Sequence, residues 1–225
     1  ASVVIDTVFF SGPTITSSAE AWESKSQAWR SVAPMALARS AHASARLPDG
    51  RVLVVGGWTS PSQVTSKAEI YDVKADGWRN TGDLHEGRAG HSIAVLADGD
   101  VLVAGGVDAH RQPVRQIERW DHRTGQWSLA GKLEATNILS MDLVRGVLVV
   151  VADDWEARGW HTVVLSSNDD GLHWRQQSCG EGRRGEGVGV LPDGTIAIVG
   201  GYSVRHDLPI AQQTLTTTLL CNKCL

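Results

Sequence analysis

Arginine followed by histidine at the third position beyond it occurs twice, as Arg39 with His42 in RSAH and Arg88 with His91 in RAGH, the pairs standing 49 residues apart. Further offsets of 46 and 49 residues bring Asn137 and Glu186 into the histidine register. Two imidazoles, an amide and a carboxylate gathered in one ring can hold a divalent metal or a polar ligand, since histidine with carboxylate suits zinc, iron or nickel. The same recurrence has a structural reading, which is the favoured one: ring nitrogens and guanidinium groups can satisfy backbone carbonyls left unpaired where a strand begins. No cofactor is therefore expected. A divalent metal held by His42, His91 and Glu186 is the alternative.

Tryptophan supplies a second kind of chemistry. Trp29, Trp78, Trp127 and Trp174 keep spacings of 49, 49 and 47 residues, which marks them as packing residues of a repeat, with Trp22, Tyr71 and Trp120 at a neighbouring repeat position. Trp58, Trp155 and Trp160 fall outside the apolar runs and are read as loop residues, together with Asp108, His110, Arg111, Tyr202 and His206. Exposed aromatic and charged side chains on loops form stacking platforms for sugar rings, or anchors for a peptide or protein partner. With Arg39, His42, Arg88, His91, Arg183 and Glu186, these loop residues other than Arg111 make up the candidate ligand-binding set.

The elements that would position these residues follow from a second set of marks at the same period. VLVVGG ends at Gly57, VLVAGG at Gly106 and TIAIVGG at Gly201, while VLVVVAD supplies a fourth copy with Val151 and Ala152 in place of the glycines. One copy reads SAHASARL, the turn PDG, RVLVVGG, a loop, KAEIYDV, the turn KADG and a tryptophan. Short Val- and Ile-rich runs bounded by Gly, Pro and Asp predict strands joined by tight turns. Each copy is then a four-stranded antiparallel meander with two apolar faces, and copies must pack on one another to cover them. No segment sustains a helical period.

A repeat near 50 residues with these marks is similar to the kelch motif. The chain resembles a kelch-type β-propeller through Arg39, His42, Arg88, His91, the diglycines, AEIYD with Glu69 and Tyr71, and the following tryptophan, over residues 19–201. The resemblance implies an all-β propeller forming a single domain over residues 1–225. Its expected parts are a partial blade (1–33), three full blades (34–82, 83–131 and 132–178) and a second partial blade (179–225). Five blades are expected, with four as the alternative, closed by strands from both ends. In the fourth copy, SSNDDGLHW resembles the Asp-box turn of sialidase-type propellers through Ser167, Asp169, Gly171 and Trp174. In such a blade the long loops after the diglycines lie on the same face as the Arg-x-x-His elements, and that face is the expected site of function.

Composition narrows the classes of function. A net charge of -4 without a basic stripe argues against nucleic acid, and no apolar run reaches the length of a membrane span. Cys179, Cys221 and Cys224 are too few for a paired zinc site, and a tail disulfide or free thiols remain open. The absence of a targeting segment, with Ala1 rather than Met in first position, leans toward an exported protein. Known propeller chemistries lack their residues here: the only tyrosines are Tyr71 and Tyr202, and the cysteines are confined to the last part of the chain. The expectation is a non-catalytic binding module for a protein, peptide or carbohydrate, as a monomer, with a dimer through an open blade edge as the alternative. A metal-dependent enzyme or a subunit of a larger propeller assembly are the other readings.

Overall fold

The computed structural model describes residues 15–23, 25–135, 137–156, 159–181, 183–190, 195–203 and 218–221. Strand β1 (Ala19–Glu23) pairs with β2 (Ala28–Val32) in a two-stranded sheet. Then come β3 (Ala43–Arg46) and β4 (Val52–Val55), a small hairpin of β5 (Trp58–Ser60) and β6 (Gln63–Val64), and β7 (Ala68–Asp72) with β8 (Gly77–Asn80). These give a four-stranded antiparallel sheet in the order β3-β4-β7-β8, with the hairpin inserted between its middle strands. A second sheet holds β9 (Ala89–Val95), β10 (Val101–Val107), β11 (Gln116–Trp120) and β12 (Trp127–Lys132) in sequence order. A third holds β13 (Asn137–Val144), β14 (Val147–Glu156), β15 (Gly159–Ser167) and β16 (Arg175–Glu181). Last is a three-stranded sheet of β17 (Arg183–Val190), β18 (Ile196–Ser203) and β19 (Thr218–Cys221). Among the described residues there is no helix, hence none long and apolar enough to cross a membrane.

The chain divides into two compact units, one of residues 1–114 and 118–129, the other of residues 115–117 and 130–225. In the first, Leu53, Val55, Ala68, Ile70, Leu84, Val101, Val103 and Trp120 share one buried cluster. Strands β4 and β10 are covered on both faces, which is why they read as unbroken apolar runs rather than as alternating ones. Each fully buried Val or Leu of these strands contributes about 1.5–3 kcal/mol. The turns repeat as closely as the strands. Leu47 and Gly50 close the β3–β4 turn through Leu47 N to Arg51 O and Gly50 N to Leu47 O; Leu96, Gly99 and Asp100 form the same two bonds between β9 and β10. Asp72 Oδ1 accepts from the amides of Lys74 and Ala75, and Asp121 Oδ1 from those of Arg123 and Thr124.

One ionic arrangement appears in both of the first two full sheets. Arg39 donates from Nη2 to Glu69 Oε1 at 2.6 Å and from Nη1 to the carbonyls of Gly56 and Lys67. Glu69 in turn accepts from the amides of Ala36 and Leu37. Arg88 and Glu118 repeat the bond at 2.6 Å, and Glu118 accepts from the amides of His85 and Glu86. Both guanidinium groups are fully buried, and burial lowers their pKa below the ordinary value while the carboxylates act against that shift. The expectation that Arg39 and Arg88 face a ligand is corrected here. A buried guanidinium needs a carboxylate and carbonyls around it, and the strands and the loop before them supply the full set.

The diglycines exist for the same assembly. Gly57 has φ +104°, and a Cβ there would lie 2.8 Å from the Ser40 carbonyl and 3.2 Å from Arg39 Cβ; at Gly56, φ +63°, it would meet Arg88 O at 2.5 Å and His91 Cε1 at 2.7 Å. His91 is therefore packed against backbone, 7% exposed, and His42 is half-buried. Burial first, then the charge of Arg88, pushes the His91 pKa down to about 3, and burial with Arg39 pushes His42 to about 4. These imidazoles are neutral core groups, so His91 does not serve as a solvent-facing ligand residue.

The tryptophans of the repeat divide in two ways. Trp78 Nε1 donates to the Ala33 carbonyl at 2.6 Å and Trp127 Nε1 to that of Gly82 at 2.8 Å, a bond carried from copy to copy. Trp78 also packs on Tyr71 at 5.1 Å between ring centroids. Trp29 departs from its packing expectation: it is 49% exposed and touches its cross-strand partner Trp22 at 5.5 Å.

Two outcomes follow. Glu69→Gln leaves Arg39 buried without its counter-charge and should cost roughly 3–5 kcal/mol in urea unfolding, whereas Glu23→Gln at the exposed Arg30 pair should change stability by less than about 1 kcal/mol. The second concerns acid. The folded pKa of His91 lies below the unfolded value of about 6.5, so between about pH 6.5 and about pH 3 the unfolded chain binds a proton that the folded one refuses. Stability should thus fall as pH falls through that window, and the slope of Tm against pH should be shallower in His91→Asn; an unchanged slope would assign the acid sensitivity to other groups.

Candidate functional site

In the first unit, the connections that leave the diglycines meet. The chain turns at Gly57 into β5, where Trp58 exchanges two backbone bonds with Ser40, N to O in each direction. Val64 pairs with Trp58 across the small hairpin, and Thr65 N donates back to Gly57 O, so the indole is mounted on a closed loop rather than a free one. From the next sheet comes the turn after β10. Asp108 Oδ1 accepts from the amides of His110 and Gln112, each at 2.8 Å, and Asp108 exchanges backbone bonds with Gln112 and Arg111. Arg111 sits at the tip with φ 61°, and its Cζ lies 5.0 Å from the centroid of the Trp58 ring. A guanidinium over an indole is attracted by the ring's quadrupole, by about 0.5–1 kcal/mol at such partly exposed positions.

The result is a surface of a half-buried indole, a capping guanidinium and the exposed His110, each fixed by backbone bonds. It offers a flat apolar area, a positive charge and an imidazole, but no nucleophile with a base beside it. Asp108 differs from its expected role. Its carboxylate is spent on the amides of its own turn, which is what lets the turn present Arg111.

The other predicted site residues are distributed differently. Trp155 and Trp160 are corrected from loop to strand: they are register partners in β14 and β15, which run on to Glu156 and Gly159 as one long hairpin. Val151 and Ala152 stand where other copies carry the diglycine, and β14 runs on through them, as β10 runs on through Gly105 and Gly106 to Val107; β4 alone of these three stops short, at Val55 before Gly56. Tyr202 likewise lies within β18, paired with Arg184, rather than in a loop. Arg183 pairs with Ser203 and Glu186 with Gly200. His206 lies outside the described residues.

Arg111 is the residue whose importance the sequence conceals. In the sequence it is one polar loop residue among several, 53 positions from Trp58. The available signal is a tryptophan directly after one diglycine and an arginine in the corresponding loop of the next copy, and only the adjacency of the two sheets turns that into a contact. Among the described residues, Asp100, Asp121 and His122 bring potential metal-ligand atoms within 4.8 Å of one another. Those atoms are engaged: Asp100 accepts from Arg119 Nε at 2.7 Å and lies 2.8 Å from His122 Nδ1, while Asp121 caps its turn. Burial raises the Asp100 pKa, but its bonds to His122 and Arg119 together hold it at about 2.

Comparison with known proteins bears on the scaffold. Residues 39–85 and 87–134 each match the kelch motif. The solved structure of YjhT shares the fold with a TM-score of 0.65 at 19% sequence identity, covering 84% of this chain and 66% of that one, so the chain spans just under two thirds of its length. No curated protein matches in sequence. Both kelch matches begin at or just before the buried arginine of their copy and extend past the glutamate that neutralises it. Together with that structural likeness, they give this all-β chain the fold of a kelch-repeat β-propeller.

Proposed function

We propose that the chain is a non-catalytic binding module that seats a protein or peptide partner on the loop surface built around Trp58 and Arg111. A kelch propeller is a scaffold suited to binding in general, and such propellers typically bind proteins. The observation that carries the reading is the stack of Arg111 on Trp58, which joins the loops of two successive copies. Tryptophan and arginine are the residue types on which interface energy concentrates, because each combines a large contact area with directional hydrogen bonds. Both are held by backbone bonds before any partner arrives, so little ordering cost falls on association. The candidates for acid-base work point the other way: the buried His91 and half-buried His42 are kept neutral, and the arginines beside them are committed to carboxylates.

Panning a random peptide library on the immobilised chain, with a glycan array in parallel, tests this. Selected peptides should lose at least about ten-fold in affinity, or about 1.4 kcal/mol, in Trp58→Ala and Arg111→Ala while the circular dichroism of both variants is unchanged. Peptides bound equally well by both variants would place the interface elsewhere. Hits confined to the glycan array would replace the protein partner by a carbohydrate.

A further inference from the structure

The fourth copy departs from the repeat at its tryptophan. Tyr71 stands seven residues before Trp78 and Trp120 seven before Trp127, but seven residues before Trp174 the chain has Ser167. In the earlier copies that aromatic is buried within the sheet, and the following tryptophan gives its Nε1 proton to a backbone carbonyl. Here the large ring is gone, and Trp174 Nε1, shut off from solvent, has no acceptor. An indole N–H buried without a partner costs about 1–3 kcal/mol, and the repeat shows that this cost is otherwise avoided.

A cleft of about 420 Å³ opens at this place, lined by Val147, Ser166, Asn168, His173, Trp174 and Arg175. The turn beside it is closed by its own hydrogen bonds. Ser167 Oγ donates to Asp169 and accepts from the Gly171 amide, while Asp169 accepts from the His173 amide and lies 2.6 Å from His173 Nδ1. Those bonds hold the Asp169 carboxyl far below the usual carboxylate range and engage it within its own turn. Among the described residues no carboxylate lines the cleft and none forms an ion pair with Arg175. The described lining therefore offers a guanidinium and an amide as donors beside one flat apolar wall, with the buried indole N–H next to them and the imidazole engaged by Asp169.

We propose that this cleft binds a carboxylate-bearing ligand, with Arg175 pairing the carboxylate, Asn168 donating to it, and the Trp174 ring forming the apolar wall. The indole completes its missing hydrogen bond by turning toward the bound oxygen. A planar guanidinium suits carboxylate geometry, and the volume admits a small free carboxylate or the acidic side chain of a peptide. The site belongs to the second unit, whereas Trp58 and Arg111 belong to the first.

The experiment follows the indole N–H resonances of the ¹⁵N-labelled full chain, with that of Trp174 assigned by its loss in Trp174→Phe. The chain is titrated at constant ionic strength with acetate, with N-acetyl-aspartate methylamide and with acetamide. The expected result is a saturable shift of the Trp174 resonance by one or both carboxylates, with Kd of about 1 mM or tighter, and a weakening of at least about five-fold in Arg175→Gln. Acetate alone sufficing identifies a free carboxylate; a requirement for the aspartyl compound identifies an acidic peptide. Absence of a shift with either carboxylate, an equal shift with acetamide, or unchanged affinity in Arg175→Gln would overturn the proposal. Arg175 is exposed, so its substitution tests the site even if Trp174→Phe fails to fold.

Discussion

The fold rests on a charge that cannot be left alone. A guanidinium at full burial is tolerated only when carboxylate and carbonyl oxygens surround it, because removing it from water costs several kcal/mol that must be offset locally. Arg39 meets that demand by drawing together the end of β4 at Gly56, the start of β7 at Lys67 and Glu69, and, through Glu69, the amides of the preceding connection at Ala36 and Leu37. Two strands of one sheet and the approach to it are thus tied at a single point. Replacing such a pair by apolar residues need not lower stability, so its principal effect in this molecule is on register. Glu69 can reach Arg39 and both amides only when β7 lies in its observed alignment with β4, Val54 opposite Glu69.

The fourth copy shows what happens when that demand disappears. It has neither the arginine nor the glutamate, and it has lost the diglycine as well. These losses are physically connected. Glycine was needed because Arg39, Ser40 and His91 approach the backbone too closely for a Cβ; without that crowding, Val151 and Ala152 are admissible and β14 continues as an ordinary strand. The polar group buried there is Asp153, which takes a bond from Thr162 Oγ1 at 3.0 Å across the hairpin. In this sheet β14 and β15 are longer than β10 and β11, their counterparts in the preceding one.

Much of this was legible in the residues. The period, the strand order within a copy and the tight turns follow from glycine, proline and aspartate at fixed offsets, because those residues encode local backbone geometry. Side-chain roles were harder to read. Arg39, Arg88 and His91 are residue types that suit a ligand as well as a core, and only their burial and the glutamate on a distant strand separate the two. Trp155 and Trp160 read as loop residues only by analogy with the first full copy, where β4 ends at the diglycine, whereas β10 runs through its own. Asp108 looked like a free carboxylate because an Asx-type turn is recognisable only once the amides it faces are placed.

A repeat protein also offers a subtraction that an unrepeated fold does not. Residues that recur at 49 positions are explained by packing, by turns or by the ionic clamp, and the fold accounts for them without reference to a partner. What is left over is specific to one copy: a tryptophan directly after the first diglycine, an arginine at the tip of one turn, and a serine where an aromatic belongs. The scaffold does not require these deviations, and they change the available surface in two opposite ways. Trp58 and Arg111 add contact area outside the sheet. Ser167 removes it from within and leaves the Trp174 N–H without its acceptor. A fold that satisfies its buried donors at Trp78 and Trp127 has the means to do so at Trp174, and the cleft is where that regularity stops.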